Sequence, residues 1–588
     1  MKKEFSKFRF VLTQLMGAVL SLGIVATQPA LAQGQKLPNL GDTARADLSP
    51  IMERKLGEQV MVSVRRDPDY MEDGPISEYL TKLGNSLLDK RPDARGEENY
   101  DFEFFAVRDP VLNAFAFPGG FIGFHSGLLL AAQSESELAS VMGHEIGHVS
   151  QRHVARMIGQ QKQDVLIPLA AILLAALAAK SSPDAAMAMV VGGQGLSIQR
   201  QLSFSRDAER EADRIGFQIL KDGGFDTSGM FAFFGRMQHA SRNYSDNGLA
   251  YLRSHPLTTE RMADIQGRLF GERYKQRVDG LDFFLMQARV RVLQDMKGQG
   301  LIDAKTIFEN QIKNGNEESR LAGRYGLAFI AYKKAEYKQA ESLLNELVKD
   351  IEASPKQKKW LKETSSFASL AIDVDLGAGR IEQALSKAKA ALRDLPLARG
   401  MVYQYAEVLI AAKQYQEVEN FLRDQISLYR RDARLQHELA KAYAAQGKEA
   451  LQHIALAEAY VIEGAVPGAL QQLEIARAAK DVKYYDLSVI DAYEREWKER
   501  YKEEIEAEKK RGDRGSNLSF QFSTHGSDAA GGIGTNFSSS SRSSSGLDSN
   551  PSDAIGTSSK TKKRNSEQRQ PSIDQSTWPL CSGRACAW

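Results

Sequence analysis

Cysteine is almost absent from this chain: Cys581 and Cys586 are its only two, both within the last eight residues. The folded segments therefore contain no disulfide, and a bridge between these two would close a small loop in the tail and staple nothing else. An excess of one charge is lacking as well. With 77 basic and 75 acidic side chains the formal net charge is +2, which argues against nucleic acid as an obligate partner. Long uninterrupted apolar runs are missing too. The main internal one, Val165 to Ala179, is broken by Pro168 and ended by Lys180. As a helix it spans roughly 22 Å, short of the ~30 Å hydrocarbon core, so a membrane span is not expected there. With the shorter piece Ala185 to Val191 it reads as a buried hairpin, or as a helical pair that covers a site or touches a membrane surface or partner.

At 588 residues the chain is too long for one ordinary core, so two or more domains are expected. Its start has the pattern of an export signal: Lys2, Lys3, Lys7 and Arg9, an apolar stretch from Phe10 to Ala26, then Ala30-Leu31-Ala32. Cleavage is expected after Ala32, which places the mature protein outside the cytoplasm. From about Gly512 onward the sequence is rich in Ser, Gly and Asn without apolar periodicity, which predicts disorder to the end.

Between these ends two kinds of pattern alternate. Leu48 to Lys90 has helical apolar spacing interrupted by Pro68 and Gly74. Tyr100 to Arg108 is aromatic enough for a strand, and Asn113 to Phe117 and Phe121 to His125 flank Pro118-Gly119-Gly120 as a hairpin does. Ser134 with Glu137 forms a capping box that predicts a long helix running to about Met157. From about Leu321 to Lys483 the pattern is all-helical and repetitive. A bulky residue followed three places later by a small or aliphatic one occurs at Tyr337/Ala340, Ile381/Ala384, Tyr415/Val418 and Val466/Ala469. The intervals are 44, 34 and 51 residues, of which 34 is the tetratricopeptide period. Such repeats bury their apolar faces only against neighbours, so a stack with a concave groove is expected.

Inside the capped helix lies His144-Glu145-Ile146-Gly147-His148. Residues four apart share a helix face, so both imidazoles can reach one metal ion, while Glu145 can take a proton from the attacking water. A catalytic zinc needs a third protein ligand. His153 is nearest, but nine residues beyond His144 a continuous helix turns it to the opposite side, as a surface or packing residue. Glu209 and Asp213 are four apart, so one carboxylate can bind metal while the other orients a ligand imidazole, with Glu211 expected to face solvent. His255, in Ser254-His255-Pro256, has no specific reading by itself.

Taken together, the HEIGH helix, the Glu209-to-Asp213 segment, the Ser254-His255-Pro256 loop and the hairpin Asn113 to Gly120 resemble the M48 family of zinc peptidases. The likeness extends from about Leu37 to Lys498 and omits the Ser-rich tail. It implies a mainly α fold: a zincin-like α+β metallopeptidase domain over residues 33–275, then helical linker and tetratricopeptide-type repeats over 276–505. A signal peptide over 1–32 and a tail over 506–588 complete the chain. The resemblance further implies one Zn2+ per chain held by His144, His148 and Glu209, with Glu145 as general base and Asp213 as partner of a ligand histidine. It makes His255 a loop residue able to occupy the fourth metal position, and Val165 to Val191 a plug over the site. The expected activity is a periplasmic zinc endopeptidase whose repeats hold unfolded or stalled outer-membrane proteins or dock on the barrel-assembly machinery. A reading of another class makes the repeats the main function, as a non-proteolytic chaperone or scaffold.

Overall fold

The computed structural model describes residues 48–96, 99–160, 206–243, 250–272, 277–353, 358–359, 361 and 364–521. The segment expected to be an export signal, the Val165–Val191 segment, the Ser-rich tail and both cysteines lie outside the described residues. Of the described residues, those up to Ile505 belong to one compact unit and those from Glu506 to a second.

The apolar segment before the sheet forms two helices, α1 (Pro50–Arg66) and α2 (Gly74–Leu88), each opened by a side-chain cap, Ser49 and Asp73. Strands β1 (Glu103–Val107), β2 (Ala114–Phe117) and β3 (Phe121–His125) make a sheet ordered β1-β3-β2. β1 runs parallel to β3, and β2 pairs antiparallel with β3 as the hairpin pattern predicts. Alternation along the strands feeds two cores. Phe104, Ala106, Ile122 and Phe124 face the main core, while Phe105, Val107, Phe117 and Phe121 pack with Val60, Met61 and Val64 of α1. The turn needs Gly119, whose φ is 82° and where a Cβ would lie 2.6 Å from the Arg54 Cα.

Helices α3 (Ser126–Ala131), α4 (Glu135–Ser150), α5 (His153–Gln160), α6 (Arg206–Asp222), α7 (Ser228–Asn243), α8 (Ala250–Ser254) and α9 (Thr259–Leu269) complete the first part of the chain. The Ser134 cap is present, its hydroxyl accepting from the Glu137 N–H. The helix does not continue to Met157. It stops at Ser150, and Arg152 takes a left-handed φ of 53° before α5 begins.

Then follow α10 (Leu281–Gln294), α11 (Gly298–Asn314), α12 (Glu317–Lys333), α13 (Tyr337–Glu352), α14 (Ser365–Gly377), α15 (Ile381–Asp394), α16 (Arg399–Ala411), α17 (Tyr415–Leu428), α18 (Ala433–Ala445), α19 (Glu449–Ile462), α20 (Val466–Ala478) and α21 (Tyr484–Gln521). Each anchor pair read from the sequence opens a helix, and Ala340, Ala384, Val418 and Ala469 are all fully buried at its fourth position. Ile381, Tyr415 and Glu449 start helices 34 residues apart, and Val466 starts the next one 17 later. The 51-residue interval is thus one regular period plus a single helix, hidden because Glu449 lacks the bulky anchor. The fold is a small mixed sheet with a helical core, followed by a tetratricopeptide-like helical array. Among the described residues no helix is long and apolar enough to cross a membrane.

Candidate metal centre

Every residue of α4 is buried, an unusual setting for a helix with two histidines and a glutamate in sequence. What makes it possible is the neighbouring helix. Gly143 and Gly147 of α4 face Ala212 and Gly216 of α6, so closely that a Cβ at Gly147 would meet the Ala212 oxygen at 2.9 Å. This glycine seam lets the backbones touch and brings the acidic face of α6 against the imidazoles.

His144, His148, Glu209 and His255 each offer a ligand atom, and these atoms all lie within 4.8 Å of one another. The His144 and His148 Nε2 atoms are 3.0 Å apart, and each is 3.5 Å from a different Glu209 oxygen. His255 Nδ1 is 3.0 Å from Glu209 Oε1 and 3.4 Å from His144 Nε2. Its ring stacks on Tyr251, with centroids 4.6 Å apart. Glu145 reaches the same space, 3.7 Å from His255 Nε2, yet neither of its buried oxygens has a hydrogen-bond partner. A buried carboxylate without donors, beside three imidazole nitrogens, fits a site completed by a cation and water.

The electrostatics follow from what surrounds each group. Burial raises the Glu145 pKa above the usual carboxylate range and lowers that of His148 well below the ordinary histidine value. Burial also opposes charge on His144, but the Asp213 and Glu209 carboxylates outweigh it and push that group up to about 9. Burial would likewise raise Glu209; the His255 and His144 rings prevail and hold it well below its ordinary value.

Asp213 lies behind His144, its Oδ1 3.0 Å from Nδ1. Arg261 of α9 grips Asp213 with Nε at 2.6 Å and Nη2 at 2.8 Å, and reaches Glu209 Oε2 with Nη1 at 2.7 Å. The sequence gives no sign of Arg261 or Tyr251. The structure also corrects two expectations. His153 does not turn away: it is buried with Nδ1 2.8 Å from His148 Nδ1. Glu211 does not simply face solvent, since His153 Nε2 stands 3.1 Å away and Arg156 Nη1 2.8 Å away. Both follow from the break at Arg152, which resets the helical phase.

Residues 78–269 match the sequence profile of Peptidase family M48. Over 473 residues the chain is 30% identical to the Beta-barrel assembly-enhancing protease of Escherichia coli (strain K12), covering 80% of this chain and 93% of that one. It is 35% identical over 324 residues to the Putative beta-barrel assembly-enhancing protease of Vibrio cholerae, covering 55% and 66%. A Mitochondrial metalloendopeptidase from Schizosaccharomyces pombe is 30% identical over 192 residues, 33% of this chain and 52% of its own.

Proposed function

The chain belongs to peptidase family M48, and from that premise we propose that it is a zinc-dependent endopeptidase of the periplasm acting on outer-membrane proteins during their assembly. The convergence of His144, His148, Glu209 and His255 beside the unpartnered Glu145 is the observation that carries this reading. The basic and apolar N-terminal sequence up to Ala32 supports the periplasmic address. The likeness to proteases named for β-barrel assembly supports the substrate class and a docking role for the repeats on the assembly machinery.

In this reading His144, His148 and Glu209 hold the ion, and two imidazoles with one carboxylate favour zinc. Bound zinc supplies a Lewis acid that polarises the scissile carbonyl and makes water acidic near neutral pH. Glu145 takes the proton of the attacking water, helped by the burial that raises its basicity. Asp213 Oδ1, 3.0 Å from His144 Nδ1, is placed to take that ring's proton and fix its tautomer. The substrate strand pairs with β2, which among the described strands pairs only with β3, giving main-chain affinity with little side-chain preference. His255 offers a further ligand atom beside these three and would compete with water for a bound ion, so cleavage would require the Ser254-His255-Pro256 loop to move.

Metal content and casein cleavage of the mature protein test the proposal, with Glu145→Gln as control. About one zinc per chain, with cleavage abolished and zinc retained in the variant, is the expected result. A folded protein without metal rejects the enzyme. His255→Ala is expected to cleave faster than the parent; an unchanged rate rejects the gate. The helical array favours a second reading, in which the repeats act as a chaperone without proteolysis. Full biological function in Glu145→Gln is the outcome that selects it.

A further inference from the structure

A continuous α4 would carry His153 five residues beyond His148 and about 140° around the axis, out of reach of that ring. The break at Arg152 brings it back. Glu53 of α1 locks that break: Arg152 Nε donates to its Oε2 at 2.9 Å, and the Tyr100 hydroxyl donates to the same oxygen at 2.9 Å. Arg152 Nη2 also donates to the Leu48 carbonyl at 2.5 Å. A left-handed arginine, rare for a residue with a side chain, is thus pinned by α1 and by the residues leading into β1.

The consequence is a line of contacts running outward from the cluster. His148 turns Nε2 toward Glu209 and Nδ1 toward His153 Nδ1, at 2.8 Å; His153 Nε2 lies 3.1 Å from Glu211 Oε2. With His148 Nε2 given to an ion, the ring's proton must sit on Nδ1, so His148 donates and His153 Nδ1 accepts. A neutral His153 then has its own proton on Nε2 and donates it to Glu211. Arg156 Nη1, 2.8 Å away, steadies that carboxylate. Every link has one direction, and each is set by the one before it.

Resting on the metal reading above, we infer that His153 is the positioning residue of His148, a histidine relay to Glu211 that serves this ligand as Asp213 serves His144. The two ligand rings are therefore oriented by different chemistry: a direct carboxylate held by Arg261 on one side, an imidazole and then a carboxylate on the other. Glu211 acts only through His153.

Zinc affinity of the full-length mature protein, by competition with a chromophoric chelator, tests this without recourse to peptidase activity. His153→Leu keeps bulk but removes the acceptor and is expected to weaken zinc binding ~10–100-fold. His153→Asn places an amide oxygen near the Nδ1 position but forfeits the link to Glu211, and is expected to bind zinc roughly 3–10-fold more weakly than the parent and more tightly than the leucine variant. A merely structural role predicts equal losses in the two, because both forfeit the Glu211 contact. Parental affinity in His153→Leu, or equal weakening in both variants, overturns the inference. Should His153→Leu fail to fold, Glu211→Gln decides. It preserves size, and is expected to bind zinc roughly 3–10-fold more weakly; parental affinity there overturns the relay. Zinc held as tightly by His148→Ala as by the parent overturns the metal reading itself, whatever the His153 variants do.

Discussion

Two carboxylates on α6, Glu209 and Asp213, are buried beside the histidine cluster, and one guanidinium touches both. Burial alone would push their protons on; Arg261 and His144 hold Asp213 below its ordinary value despite that. Arg261 is itself buried, so the three charges form a closed set in which each answers for another. Removing one member leaves the others desolvated and uncompensated, which typically costs about 3–5 kcal/mol. Arg261→Met is therefore expected to lower unfolding free energy by that order in denaturant titrations with chelator present. Arg261→Lys is expected to recover little of it, since one ammonium cannot reproduce the two-pronged contact with Asp213. Near-parental stability in the methionine variant would show the carboxylates find other partners. Nothing in the sequence marks Arg261, because a residue 48 positions from its carboxylate has no local pattern to betray it. His144 and His148 were legible for the opposite reason: four residues on one helix fix their geometry locally.

The pairing of α4 with α6 converts those local patterns into a site. Its contact is made of residues with almost no side chain: a Cβ at Gly216 would lie 2.8 Å from the His144 nitrogen and 2.9 Å from the Gly143 carbonyl carbon. Both obstacles are backbone, so nothing can swing aside. Gly216→Ala is expected to destabilise by roughly 1–3 kcal/mol through overpacking. It should also draw Glu209 away from the imidazoles, weakening zinc binding in the same variant. Thermal melting and chelator competition together check this; an alanine that leaves both unchanged would mean the seam has slack. The hairpin, the helix cap and the two capped helices before the sheet could be read in advance because turn glycines, serine caps and apolar spacing act over a few residues. The break at Arg152 could not, since it is held by Glu53, Tyr100 and Leu48 from far along the chain. His153 and Glu211 were misread as a direct result, and so was the length of α4.

The catalytic part and the helical array share one compact unit, and charged pairs join them beside the apolar core that runs from Met71 to Val374. Asp73, the cap of α2, receives Arg289 of α10 at 2.9 and 2.6 Å, and the same guanidinium donates to the Tyr325 hydroxyl of α12 at 2.6 Å. Arg434 of α18 lies 3.2 Å from Glu72, and Gly400 of α16 approaches Gly74 so closely that a Cβ would meet its Cα at 2.8 Å. Deeper in the array, burial lifts Asp373 to about 6 and Glu407 to about 7, in the latter case with Glu438 adding repulsion. The sign follows directly. Between the ordinary carboxylate range and these raised values the folded chain binds more protons than the unfolded one, so stability from this pair declines as pH rises. It is fully present below about pH 4 and lost above about pH 7. Glu209, Asp213 and Glu211 have lowered values and act in the opposite sense, so the raw pH profile mixes both. A difference measurement isolates the array. Glu407→Gln cannot ionise, so between pH 5 and pH 8 its melting temperature should fall by about one to two degrees less than the parent's, corresponding to roughly 1–2 kcal/mol after allowance for solvent screening. Parallel profiles for parent and variant would mean Glu407 is ionised and solvated at neutral pH. Divergence above pH 6 would mean that the array is built to be tightest when its inner carboxylates are neutral, and loosens at the pH where they charge.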